Sequence, residues 1–167
     1  SLKVWDALDM ARIAPVDAMD VHGDGADGGN LGFDAFGARV GTLAWIVEDQ
    51  NLNGALDAAL RFAHNVQRVE GRACELTCSD SGAAVRLEDG RRVECALLGG
   101  ADGRESWVRG QCDIGVDYRM YHQSAIVTNF ACDKPHHGVA HQWFTGSDGI
   151  IALLPLPGNR VSLVWSA

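Results

Sequence analysis

The sequence predicts an α+β fold with mostly antiparallel pairing, and three observations carry that reading. One amphipathic helix pattern stands out, from Asn51 to His64. Runs with a period of two lie on both sides of it. Asp89-Gly90, a favoured hairpin dipeptide, separates two of those runs. Strands that follow one another without regular intervening helices argue against a repeated βαβ pattern.

Taken in order, Lys3 to Ile13 reads as a short helix with Val4, Leu8 and Ala11 on one side, stopped by Ala14-Pro15. Val16 to His22 alternates as a strand does, Gly23 to Gly29 is a loop, and Leu31 to Phe36 can pair back onto that strand. In the main helix Leu52, Leu56 and Leu60 form a stripe beside Ala55, Ala59 and Ala63, with Asp49 or Asn51 as the cap. Cys74–Cys78, Ala84–Leu87 and Arg92–Leu98 predict a three-stranded meander. A glycine corner and a helix from Ser106 to about Gln111 come next. Gln123–Phe130, Val139–Thr145, Ile150–Leu154 and Arg160–Ser166 predict four more strands. The pattern is still apolar and strand-like at the last residues, so both ends read as cuts within a larger fold.

Composition narrows the function. The chain has 167 residues, 47% of them hydrophobic, enough for a real core. Its net charge of −8 repels phosphate backbones, so no nucleic-acid partner is expected. No apolar run approaches the roughly 20 residues that cross a bilayer, and no leader opens the chain. Five cysteines without regular spacing predict reduced, mostly buried thiols and a cytoplasmic setting.

Two motifs are decoys. Gly23-Asp-Gly25-Ala-Asp-Gly28 matches G-x-G-x-x-G, but a nucleotide fingerprint must open a helix. Gly29-Asn30-Leu31-Gly32 is a poor helix start, and Asp24 and Asp27 would set negative charge beside a diphosphate. His136, His137 and His141 lack a named set of partners for zinc, so no metal is expected. No residue set has the context of a nucleophilic catalyst.

The third motif carries chemistry. Ala96-Leu-Leu-Gly-Gly-Ala-Asp102-Gly103-Arg104-Glu105-Ser106-Trp107-Val108-Arg109 is an apolar strand, a glycine corner and a helix start. The glycines let backbone approach a ligand. Asp102 can accept hydrogen bonds, Ser106 can cap the helix, and Arg109 can face a phosphate or an acidic neighbour. Read as structure alone, it is a tight corner held by an Asp102–Arg109 pair.

D-G-x-x-S-x-x-R after an apolar strand resembles the second flavin motif of the single-component aromatic hydroxylases, the group of p-hydroxybenzoate hydroxylase. Other stretches extend the resemblance: Trp45-Ile-Val-Glu48-Asp-Gln50-Asn-Leu52, Tyr121-His-Gln-Ser-Ala-Ile-Val-Thr-Asn129, Gln142-Trp-Phe144, Ile151-Ala-Leu-Leu-Pro155-Leu and Ser162-Leu-Val-Trp165-Ser. Together they are similar, in order, to the ubiquinone-biosynthesis hydroxylases of the 2-octaprenyl-6-methoxyphenol hydroxylase type. The family's opening G-x-G-x-x-G helix and its later G-D motif are not in this sequence.

The resemblance implies an internal fragment of a p-hydroxybenzoate hydroxylase-like fold: an antiparallel substrate-domain sheet, the β-meander and part of the FAD domain. Residues 1–14 would be a helix from the FAD-domain region. Residues 15–44 and 113–167 would be the two parts of the substrate sheet, and residues 45–112 the FAD-domain segment. It further implies FAD as cofactor, NAD(P)H as electron donor, O2 as co-substrate and a polyprenylated phenol as substrate. Asp102, Gly103, Ser106 and Arg109 would belong to the flavin and NAD(P)H motif, and Glu48, Asp49 and Gln50 would lie near the flavin ring. It names no catalytic base. The parent enzyme would work in the cytoplasm, in contact with a membrane surface or a pathway complex. The fragment itself is expected to hold no FAD, to be inactive, and either to self-associate or to be disordered near Gly23 to Gly29. Two rivals stay open: another flavoprotein of this fold, such as a reductase or halogenase, and a non-catalytic module that binds a ligand or partner.

Overall fold

The computed structural model describes residues 4–25 and 28–167. In chain order the regular elements are β1 (Ile13–Val16), β2 (Ala18–His22), β3 (Asn30–Asp34), β4 (Ala44–Val47), α1 (Asp49–Phe62), β5 (Ala73–Ser79), β6 (Gly82–Leu87), β7 (Arg92–Cys95), α2 (Trp107–Gln111), β8 (Ala125–Ala131), β9 (Val139–Phe144), β10 (Ile150–Leu156) and β11 (Arg160–Ser166). They fall into two compact units. The first runs through Val66 and resumes at Tyr121; the second spans Gln67–Met120.

The first unit is built on a six-stranded sheet in the order β3-β2-β9-β10-β11-β8. All neighbours are antiparallel except β2 and β9, which run parallel with Ala18 opposite Val139 and His22 opposite Trp143. The strands that follow the glycine corner in sequence therefore join the strands that precede α1, as expected. A parallel pair needs a long crossover, and here more than a hundred residues supply it. A two-stranded antiparallel ribbon pairs Ile13 with Val47 and Val16 with Ala44. Leu8, Ile13 and Ala55 bury together beside it, with Val4 and Val47 packed against them.

The N-terminal helix does not form. Lys3 lies outside the described residues, and residues 5–7 and 10–12 make two separate 3-10 turns before β1 begins at Ile13. Leu8 and Asp9 between them are extended, and the Asp9 carboxylate accepts from the Ala11 amide. The cause is tertiary. The buried Asn51 side chain accepts from the Asp9 N–H at 2.9 Å and donates to the Asp9 carbonyl at 2.9 Å. Those two bonds occupy the backbone groups that a continuous helix would use.

The same clamp turns α1. Asn51 and Ala55 are its buried residues, whereas Leu52 and Leu60 are exposed, so the leucine stripe is not the packed face. Neither expected cap acts as one. Glu48 is the N-cap without a side-chain capping bond, and Asp49 accepts instead from Asn53 at 2.9 Å.

The loop after β2 closes on itself: the Gly23 amide donates to Gly29 O at 2.8 Å and Gly28 N to Gly25 O at 3.1 Å. Ala26 and Asp27 lie outside the described residues. The chain passes from this loop into β3, not into a helix, so its G-x-G-x-x-G string has no nucleotide-binding context.

The second unit is the β5-β6-β7 meander with α2. β7 stops at Cys95, three residues short of the expected Leu98. Its partner β6 begins at Gly82, and Ala83 opposite Cys95 is the last pair, so no backbone partner exists beyond that point. The thiols are less buried than expected: Cys74, Cys78 and Cys112 are exposed, and Cys95 and Cys132 are half-buried.

Gly149 shows how tightly β10 and β11 begin and end. Its φ is +92°, and a Cβ there would run into the Ser166 carbonyl oxygen. Gly149→Ala is expected to destabilise the first unit by about 3 kcal/mol or more, from left-handed strain plus the clash. Urea unfolding checks this; a loss under ~1 kcal/mol would contradict it.

Candidate functional site

The glycine corner in the second unit forms a hydrogen-bonded relay. Gly103 adopts φ +90°, open to a residue without a Cβ, and turns the chain so that Asp102 faces the start of α2. The Asp102 carboxylate accepts from Ser106 Oγ at 2.5 Å and from the Val108 amide at 3.1 Å. Ser106 Oγ in turn accepts from the Arg109 amide at 3.1 Å, as a helix cap. The expected Asp102–Arg109 ion pair is not made, and the link between the two residues runs through Ser106. The Arg109 guanidinium donates to the Arg104 carbonyl at 2.7 Å and to the Tyr118 hydroxyl at 3.2 Å. Both acceptors are neutral, so no carboxylate among the described residues cancels this charge.

Hydrogen bonds from the Ser106 hydroxyl and then from the Val108 amide hold the Asp102 carboxyl below its ordinary range. Its folded pKa is therefore lower than its unfolded one. The contribution is complete above the unfolded value of about 3.9 and is lost as pH falls through the folded value. Asp102→Asn is accordingly expected to be less stable than wild type at pH 7, with the difference closing as the pH drops below the ordinary carboxylate range. Thermal melts from pH 7 to 2 check this, and a difference constant with pH would contradict it. Beside the corner, Cys78, Ala83, Leu98, Val108 and Cys112 line an apolar pocket of about 480 Å³ within the same unit.

Glu48, Asp49 and Gln50 belong to the first unit, at the junction of β4 and α1. Glu48 Oε2 accepts from Arg12 Nε at 2.8 Å and Nη2 at 2.5 Å, and Oε1 lies 3.5 Å from Arg160 Nη2. Gln50 Oε1 lies 3.5 Å from the same Arg12 nitrogen. Glu48 thus ties the segment before β1 to the start of β11. Sequence reasoning missed Arg12 and Arg160, which stand 36 and 112 residues from Glu48; no local pattern signals them.

A second missed group lies on one face of the six-stranded sheet. The His22 ring stacks on Trp143 with centroids 5.6 Å apart, and His141 stacks on the same indole at 5.5 Å. Asp20 Oδ2 is 3.8 Å from His141 Nδ1, a buried atom without a hydrogen-bond partner among the described residues. His136, by contrast, is structural. Its Nδ1 accepts from the Gly138 amide at 3.0 Å, so Nε2 carries the proton and faces the carbonyls of Leu156 and Gly158, each at 2.9 Å.

No family model matches the chain. It is 36% identical over 127 residues to ubiquinone hydroxylase UbiL of Rhodospirillum rubrum, covering 75% of this chain and 29% of that protein. It is 33% identical to 3-demethoxyubiquinol 3-hydroxylase of Escherichia coli, over 98% of this chain and 41% of that protein. Against the mitochondrial ubiquinone biosynthesis monooxygenase COQ6 of Drosophila melanogaster, identity is 32% over 99% of this chain and 36% of that protein. The chain thus spans 29% to 41% of the length of these relatives.

Among solved structures, Pseudomonas aeruginosa PqsL in complex with 2-aminobenzoylacetate superposes with a TM-score of 0.75 at 21% identity, covering 99% of this chain and 47% of that one. Klebsiella pneumoniae HpxO complexed with FAD and uric acid gives 0.70 at 17% identity, covering 99% and 44%. These two share the fold. With the same sequence order as these relatives over most of its length, this chain belongs to the ubiquinone-biosynthesis hydroxylase family.

Proposed function

We propose that a full-length protein containing this chain is a FAD-dependent monooxygenase that hydroxylates a polyprenylated phenol in ubiquinone biosynthesis, with NAD(P)H as reductant and O2 as oxidant. The observation that carries the reading is similarity to named ubiquinone hydroxylases along nearly the whole chain. Bound FAD, reduced by NAD(P)H, supplies the oxygen-activating chemistry; the residues here position and shield.

The corner fits a nucleotide cofactor. Asp102 stays ionised and accepts, so it suits a hydroxyl donor. Arg109, held by neutral oxygens, keeps its charge for a diphosphate. Gly103 has open space where a Cβ would stand. In this assignment Asp102, Gly103, Ser106 and Arg109 act on the flavin and NAD(P)H side, and residues 45–112 belong to the flavin part. Glu48, Asp49 and Gln50 support the flavin ring from the β4–α1 junction. The six-stranded sheet, from residues 15–44 and 113–167, covers the substrate and excludes water. Among the described residues no helix is long and apolar enough to cross a membrane; access to a polyprenyl chain then runs through a membrane surface or a pathway partner.

The test is an assay of the purified full-length protein with NAD(P)H, a short-chain prenylphenol and 18O2. The reading expects a product with one added 18O atom, dependent on FAD. A halide-dependent halogenated product, or a reduced quinone without added oxygen, would replace it with the halogenase or reductase alternative.

A further inference from the structure

Cys78 and Cys112 are set apart from the other thiols of the second unit. Cys74 Sγ donates to the Arg86 carbonyl at 3.3 Å, and Cys95 Sγ to the Ala83 carbonyl at 3.6 Å. Cys78 and Cys112 instead contact each other, Sγ to Sγ, at 4.0 Å. Both are exposed, and both edge the same apolar pocket. Cys78 lies at the end of β5, one residue before the strand's last position. Cys112 is the C-cap of α2, a helix of five residues too short to be rigid by itself. A disulfide needs the sulfurs at about 2.05 Å, so closure requires a shift of roughly 2 Å, within reach of a fraying helix end.

We propose that Cys78 and Cys112 form a peroxide-driven disulfide that fastens α2 to the β-meander. One thiol loses its proton, the thiolate attacks hydrogen peroxide and becomes a sulfenic acid as the O–O bond breaks, and the departing hydroxide takes up that proton as water. The second thiol then attacks that sulfur, the S–O bond breaks, the S–S bond forms, and a second water leaves. Peroxide gains two electrons and the two thiols lose them. The result closes a covalent loop of 34 residues' separation around the corner. It fixes the helix whose first turn holds the Asp102–Ser106–Arg109 relay. Partial desolvation of the sulfur at the pocket edge, and then the hydrogen bond with Cys112, raises the Cys78 thiol above its usual range. Closure is therefore slow near neutrality and accelerates with rising pH, since the thiolate is the reactive form.

The experiment treats the full-length protein with hydrogen peroxide, folded and in urea, and follows the products by mass spectrometry without reduction. The expected result is loss of two hydrogen atoms and a linked peptide joining Cys78 to Cys112. Once a sulfenic acid has formed, the link should close at least about tenfold faster in the folded chain than in urea, because the fold brings the sulfurs together. Cys78→Ser and Cys112→Ser should abolish the link, while Cys74→Ser and Cys95→Ser keep it; circular dichroism establishes that each variant is folded. The proposal is overturned by sulfenic or sulfinic acid without a link, by a link to another cysteine, or by equal rates in both conditions.

Discussion

Asp102→Ala is expected to lower flavin retention by the full-length protein at least about tenfold, the effect of losing one charge-assisted anchoring contact. The unfolding midpoint should stay within about 3 °C of wild type. Asp102 is solvent-exposed, so it holds little of the core. What it organises is local: the Ser106 hydroxyl and the Val108 amide both point at its carboxylate. Without it, Ser106 loses the acceptor that orients its Oγ toward the Arg109 amide, and the helix start and the Arg109 charge lose their shared reference. Asp102→Asn keeps the shape and one acceptor, so it should fall between. The measurement is flavin absorbance per folded molecule, with thermal melts run in parallel. A parallel fall in melting and in flavin content, at constant flavin per folded molecule, would place Asp102 in the fold and not in the site.

Asn51→Leu should destabilise the first unit by about 2 kcal/mol, with no change in the second. The substitution keeps volume but removes both bonds to Asp9. The Asp9 N–H is left to find another partner, while the Asp9 carbonyl keeps only the Arg12 amide at 3.0 Å; each lost bond is worth about 1 kcal/mol. Asn51→Asp retains an acceptor for the Asp9 N–H and loses the donor, so its loss should be smaller unless its charge resists burial. Urea unfolding with a probe in each unit separates the effects; the Trp5–Trp45 contact, with centroids 5.7 Å apart, reports on the first. A change below ~0.5 kcal/mol would show that the clamp is incidental.

Elements set by local pattern were legible in the sequence. The meander follows from period-two runs and Asp89-Gly90, α1 from its spacing, and the α2 start from Ser106. The N-terminal helix was misread because Val4, Leu8 and Ala11 have helical spacing, while the deciding contact comes from Asn51, 42 residues away. The leucine stripe of α1 misled for the same reason: the polar Asn51 defines the buried face. At the candidate site the corner and its serine cap were readable, since each of its five side-chain bonds joins residues no more than nine apart in sequence. The Glu48 network and the His22–Trp143–His141 stack were not. The first depends on partners from both ends of the unit, and the second on the register of the parallel β2–β9 pair. Neither register nor long-range ion pairing leaves a mark in a single sequence.

The central claim is that the corner from Asp102 to Arg109 meets the flavin cofactor. Hydrogen–deuterium exchange on the full-length protein, with and without FAD, tests it at the peptides themselves. The account predicts that FAD slows exchange across residues 102–109 at least about tenfold, while the β5–β6 turn at Asp80–Ser81 is unchanged. Unchanged exchange at 102–109 in protein that has bound FAD elsewhere would contradict it.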